Sequence, residues 1–147
     1  MVEVVEPPDG ETLAVQYLAA LLAGQPGFES VEVSGSLASE DPDFEPPAEA
    51  VVVRGTGGAP RDVLVTDAQI TLTAWAATPG AEIRAGEIAR RCAALMVAAE
   101  RLGFMAGTAC TRVQVFSVPY NDPDPTTGRA RYSATYGVSL RGHVVRV

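Results

Sequence analysis

Lysine is absent from the chain, and all eleven basic residues are arginine. That absence removes Schiff-base and lysine-nucleophile chemistry and the lysine a P-loop requires. The glycine-rich stretch RGTGGAPRD does not fit a dinucleotide fingerprint either: Gly55 and Gly57 open the pattern, but Pro60 stands where the third glycine belongs. Cysteine is scarce. Cys92 and Cys110 are too few for a secreted disulfide framework and read as two buried thiols in a reducing compartment. His143 is the sole histidine. Its pairing with either thiol stays open on spacing alone, but no local positive charge marks either cysteine as activated. The SGS at Ser34–Ser36 is not a G-x-S-x-G elbow, so catalysis is not expected. No long apolar run exists: Leu13 to Ala23 falls short of the roughly 20 residues that span a bilayer. The start MVEVVEPPDG has no basic n-region and is not expected to be a signal peptide.

The chain has 147 residues and a net charge of −7. Its length fits a single domain, 1–147, that buries about 68–70% of its unfolded surface. The acidic balance argues against non-specific binding to nucleic-acid phosphate, which is driven by basic side chains. It is compatible with a wall along which DNA passes without being held.

Asp9 is a plausible N-cap and Gly24, followed by Pro26, a stop signal, so a helix is expected from Gly10 to Ala23. Leu13, Val15, Tyr17, Leu18, Leu21 and Leu22 wrap most of its circumference. Such a helix is covered on more than one side, either by its own core alone or also by a neighbouring subunit through Val15 and Tyr17. Val31 and Val33 alternate with Glu32 and Ser34 as a half-buried strand, and the acidic, proline-rich ASEDPDFEPPAEA reads as a surface loop. AVVVRGTGGAPRDVLV reads as a hairpin turning at Gly57-Gly58. In the strand that follows, Ala68, Ile70, Leu72 and Ala74 share one face. Thr78-Pro79 is expected to start a second helix as N-cap and first residue, with a stripe of Ile88, Cys92, Leu95, Ala99 and Leu102 and an end at Gly103. Two strands, from about Thr111 to Val118 and Arg131 to Val145, close the chain. The order α-β-β-β-α-β-β, without regular β-α alternation, predicts an α+β fold: a mixed or antiparallel sheet against two helices.

The loop between the last two strands, NDPDPTTGR, holds three acidic or amide oxygen donors: Asn121, Asp122 and Asp124. A calcium loop of the EF-hand type needs glycine at its sixth position and glutamate at its twelfth. Counted from Asp122 those positions are Thr127 and Ser133, and counted from Asn121 the third is Pro123. No metal site is expected, and no cofactor. The prolines stiffen the loop, which suits a projecting contact made by Tyr120, Asp122 and Asp124. Arg129 and Arg131 on its return are candidates for ion pairs at an interface.

The stretch Asp122 to Gly142, DPDPTTGRARYSATYGVSLRG, follows a strand ending FSVPYND. Upstream lies a strand, a turn and an alanine-rich helix, VLVTDAQITLTAWAATPGAEIRAGEIARRCAALM. Together these stretches resemble the tail terminator proteins of long-tailed bacteriophages, the phage lambda minor tail protein U group and its actinobacterial-phage relatives. The loop around Asp41 to Pro47 carries no family signature. The resemblance implies a non-enzymatic virion protein that forms a six-fold homo-oligomeric ring at the neck end of the tail. The ring caps the tail tube, stops its polymerisation and meets a head-proximal neck protein, while DNA passes through its lumen and no membrane is involved. Assembly would take place in the host cytoplasm. Head-tail connector and tail completion proteins have similar size and related folds and are the alternative, followed by a small non-viral binding module.

Overall fold

The computed structural model describes residues 1–37 and 40–147. The first two residues of the expected acidic loop, Ala38 and Ser39, lie outside the described residues. The remainder forms two helices and eight strands, in the order β1 (Glu3–Glu6), α1 (Gly10–Ala23), β2 (Glu32–Ser34), β3 (Ala50–Pro60), β4 (Val65–Trp75), α2 (Glu82–Leu102), β5 (Phe104–Met105), β6 (Thr108–Asn121), β7 (Arg131–Arg141) and β8 (His143–Arg146). The fold is α+β, as the alternation and helical stripes predict.

Six strands form one sheet in the order β2-β3-β4-β7-β6-β5. Only the β2-β3 pair is parallel. Along β4 and β7, Ala68, Ile70, Leu72, Ala74, Ala134, Tyr136, Val138 and Leu140 are buried, and the register sets Leu72 against Ala134 and Ile70 against Tyr136. Because side chains alternate across a strand, this is one face of the sheet, and it carries the core. Helix α1 supplies Ala14, Tyr17, Leu18 and Leu22 to that core, and α2 supplies Ile88, Cys92, Met96 and Ala99. The opposite face, with Gln69, Thr71, Thr73 and Trp75, is half-buried.

Both ends of α1 fall where local chemistry predicts them. The Asp9 carboxylate accepts from the Thr12 amide at 3.1 Å and the Thr12 hydroxyl at 2.8 Å, and Gly24 closes the last turn by donating to Leu21. Helix α2 starts three residues beyond the expected point. Gly80 has φ +88° and the Ala81 amide donates to the Thr78 carbonyl. Thr78-Pro79-Gly80-Ala81 is therefore a tight turn with glycine at the left-handed position, and a helix cannot pass through it. The expected hairpin turn at Gly57-Gly58 is also corrected. Strand β3 continues through both glycines to Pro60, and the register slips by one residue between Gly55 and Gly58. Gly58 sits at φ +118°, where a Cβ would lie 2.0 Å from the Asp67 carbonyl oxygen, so the glycines form a bulge. The chain turns instead at Asp62, whose Oδ1 accepts from the Leu64 and Val65 amides at 2.7 and 2.8 Å. The single last strand expected to Val145 is broken at Gly142. Beyond it, β8 leaves the main sheet and pairs antiparallel with β1, a strand that local pattern does not reveal.

Candidate interaction surfaces

A run of exposed apolar side chains lies on β6. Strand β5 pairs only with Thr108 and Ala109, so from Thr111 onward β7 is the sole strand neighbour of β6 among the described residues. Along this edge Phe116 is 57% exposed, Val118 69% and Tyr120 52%, and Val115 is exposed as well. The sequence carries a signal for this. In VQVFSVPY, apolar residues occupy both strand parities, whereas a strand with one solvated face alternates. Three register slips, between Cys110 and Arg112, Val115 and Ser117, and Ser117 and Tyr120, bend the strand. Glu100 of α2 accepts from the Val113 amide at 3.0 Å, which covers the edge at one point.

At the far end of the same hairpin, the loop 122–130 is tied back into its own domain. The Asp122 carboxylate accepts from Arg131 at 3.2 Å and from the Ser133 hydroxyl at 2.8 Å. Asp124 accepts from the Thr127 hydroxyl at 2.6 Å and from the Thr126 and Thr127 amides. The Thr127 hydroxyl bond, ahead of the two amides, holds its carboxyl below the usual value. Arg129 donates to the carbonyls of Ala76, Pro47 and Ala48 at 3.0–3.2 Å. Arg129 and Arg131 both lie against the Trp75 ring, at 5.3 and 5.1 Å from its centre. The guanidiniums expected to be offered to a partner therefore serve mainly to hold the loop, and within it Pro123 and the tip from Pro125 to Gly128 are exposed.

Tyr120, Asp122, Asp124, Arg129 and Arg131 thus share one end of the sheet. Val15 and Tyr17 are apart from them on α1. Tyr17 is buried and its hydroxyl donates to the Leu95 carbonyl, so it belongs to the chain's own α1-α2 contact and is not presented at the surface. Val15 is half-buried, packed against the core. On the open face, a depression of about 440 Å³ runs between Leu37, Arg54, Thr73 and Trp75.

The two thiols are held in their protonated form. Burial pushes the Cys92 thiol up to about 12 and raises that of Cys110 as well, so both stay protonated near neutral pH. His143 is exposed on β8, 3.1 Å from the Glu6 carboxylate. Among the described residues no three His, Cys, Asp or Glu side chains gather where they could hold a metal ion, and no helix is long and apolar enough to cross a membrane.

Sequence reasoning passed over a second constellation, between the segment after α1 and the first half of α2. Phe28 is buried with the Arg84 and Arg91 guanidiniums 4.9 and 4.6 Å from its ring centre. Arg84 makes a two-bond contact with the Glu49 carboxylate at 2.6 and 2.9 Å, and that hydrogen bonding holds the Glu49 carboxyl below its usual value. No protein-family model matches the chain, and no curated protein matches it.

Proposed function

We propose that the protein is a structural ring subunit that caps the tail tube of a long-tailed bacteriophage, ends tube polymerisation and joins the tail to the neck, acting by binding and without catalysis. The resemblance of Val63–Met96 and Phe116–Gly142 to tail terminators motivates the reading. The observation that carries it is the β6 edge: Val115, Phe116, Val118 and Tyr120 stand exposed on a strand with one open side. A monomer with such an edge is prone to self-association, and a protein built to assemble uses it. The main sheet ends in β2 on the other side. Its two flanks are unlike, which suits a head-to-tail contact that closes by rotation. A net charge of −7 suits a lumen through which DNA slides, because like charges repel.

Electron microscopy of the purified protein, with its mass by sedimentation, tests the proposal. Closed rings of uniform size are expected, and rings that bind one end of purified tail tubes would support the capping role. Rings that ignore tubes but bind head-side neck particles would move the protein to another neck position. A species of 15.3 kDa at all concentrations would overturn the ring.

A further inference from the structure

We infer that the arginine pocket beside Phe28 receives the acidic segment Glu40–Glu45 of a second copy of this chain, an inference that rests on the ring reading above. The pocket is an open cavity of about 540 Å³ lined by Pro26, Phe28, Arg84, Glu87, Arg90 and Arg91, together with Gly27. Its charges are unevenly matched. Arg84 is neutralised by Glu49 and approached by Glu87 at 3.5 Å. Among the described residues the Arg91 guanidinium is bonded only to a neutral acceptor, Gln25 Oε1 at 2.6 Å, and stacks on Phe28. Arg90 is exposed and has no hydrogen bond or ion pair among the described residues. One guanidinium without a carboxylate, that of Arg91, therefore lies on the Phe28 ring, and Arg90 lines the same cavity beside it, in a chain whose net charge is −7.

The chain itself carries a matching ligand. Glu40, Asp41, Asp43 and Glu45 surround Phe44, and every residue from Glu40 to Pro46 is exposed. Phe44 is among the exposed large apolar side chains, at 41%. Pro42, Pro46 and Pro47 limit the conformations the segment loses on binding. An aromatic side chain flanked by carboxylates complements a pocket that offers an aromatic ring flanked by guanidiniums, since Arg pairs with carboxylates through a planar fork and stacks on rings. The segment does not line its own pocket, and its base is held elsewhere, by the bonds from Arg129 to the Pro47 and Ala48 carbonyls. A loop on one copy entering a pocket on the next is a head-to-tail contact, the kind that forms rings.

The test is charge reversal and exchange, read by sedimentation velocity on the full chain, with circular dichroism confirming the fold. Arg90→Glu and Asp43→Arg are both at exposed positions, and each is expected to weaken assembly by about tenfold or more. The double variant with both changes is expected to recover most of that loss, because the pair is restored with its signs exchanged. Raising the salt from low to several hundred millimolar should weaken the wild-type protein in the same direction. Rings that form normally in both single variants would overturn this contact and leave the ring reading standing. A monomeric wild-type chain would overturn both. Equal loss in the single and double variants would assign the effect to general charge and not to this pair. A salt-sensitive but concentration-independent change in shape would place the segment in its own pocket and overturn the trans contact.

Discussion

Tyr136 sits at the centre of the core, fully buried on β7, and its hydroxyl has no hydrogen-bond partner among the described residues. Burial, with a smaller contribution from the nearby Cys92, raises its ionisation above the ordinary tyrosine value. A buried hydroxyl without a partner costs about 1–3 kcal/mol, whereas the ring itself packs among Ile70, Val138 and Met96 in the same core cluster. Replacing Tyr136 by Phe keeps the ring and removes the orphan. The variant is expected to be more stable by about 1 kcal/mol, which raises the melting temperature by about 2–4 °C in a domain of this size. Calorimetry checks this, and a lower melting temperature would mean that the hydroxyl is bonded in solution. The contrast with Tyr17 is instructive. Both tyrosines are buried, but Tyr17 reaches a helix carbonyl at Leu95, so Tyr17→Phe should lack this gain.

At the scale of elements, the β6-β7 loop shows why stiffness and acidity occur together. Pro123 and Pro125 fix backbone angles on either side of Asp124, and Asp124 then caps the turn by gathering the Thr126 and Thr127 amides. The acidic side chains are taken up by the loop's own geometry, and Arg129 fastens that geometry to the β4-α2 connection and to the segment just before β3. Arg129→Ala leaves three carbonyls without this donor and uncovers one side of Trp75. It is expected to destabilise the fold by about 2 kcal/mol. Asp124→Ala, which loosens only the exposed tip, is expected to cost less than Arg129→Ala. Urea midpoints compare the two, and a larger loss at Asp124 would show that the tip, not the anchor, holds the loop. From the residues alone this loop reads as a free projection, because the partners of Arg129 lie far away in sequence, at Pro47, Ala48 and Ala76. The same limit runs through the fold. Helix α1 is legible to the residue because Asp9 and Gly24 act locally, and β4 is legible because its alternation is unbroken. The turn at Asp62 is not, since two glycines in a bulge and two glycines in a turn look alike until strand register decides between them. Strands β1 and β8 pair the two ends of the chain, which no local pattern reports. Among the candidate contacts, the apolar parity of VQVFSVPY was open to reading, whereas the Phe28 pocket assembles from α2 and a segment well before it.

For the whole molecule, the question is whether the β6 edge can be changed without changing the fold. Gly137 offers a way to ask it. It lies on β7 beneath the Phe116 ring, and a Cβ there would sit 2.7 Å from two ring carbons. That contact is too close to keep, so Gly137→Ala must displace the ring. Phe116 is 57% exposed, and a ring already half in solvent can swing outward. The displacement therefore falls on the surface and not on the core face, where Tyr136 and Val138 flank the site and stay buried. Monomer stability is expected to change by less than about 1 kcal/mol, within the range of surface substitutions away from core features. Assembly is expected to respond more strongly if the edge is an intersubunit contact, because a displaced aromatic both loses its own packing and blocks the approach of a partner. Phe116→Ala separates these two effects: it removes the packing without adding an obstacle. Both variants are expected to fold with wild-type circular dichroism and, on the proposed ring assembly, to form fewer or unstable rings, with Gly137→Ala the more severe. Normal rings from both would remove β6 from the interface and leave the contact to other surfaces. Unfolding of Phe116→Ala would show instead that this ring completes the chain's own packing, and that the open edge is narrower than its exposure suggests.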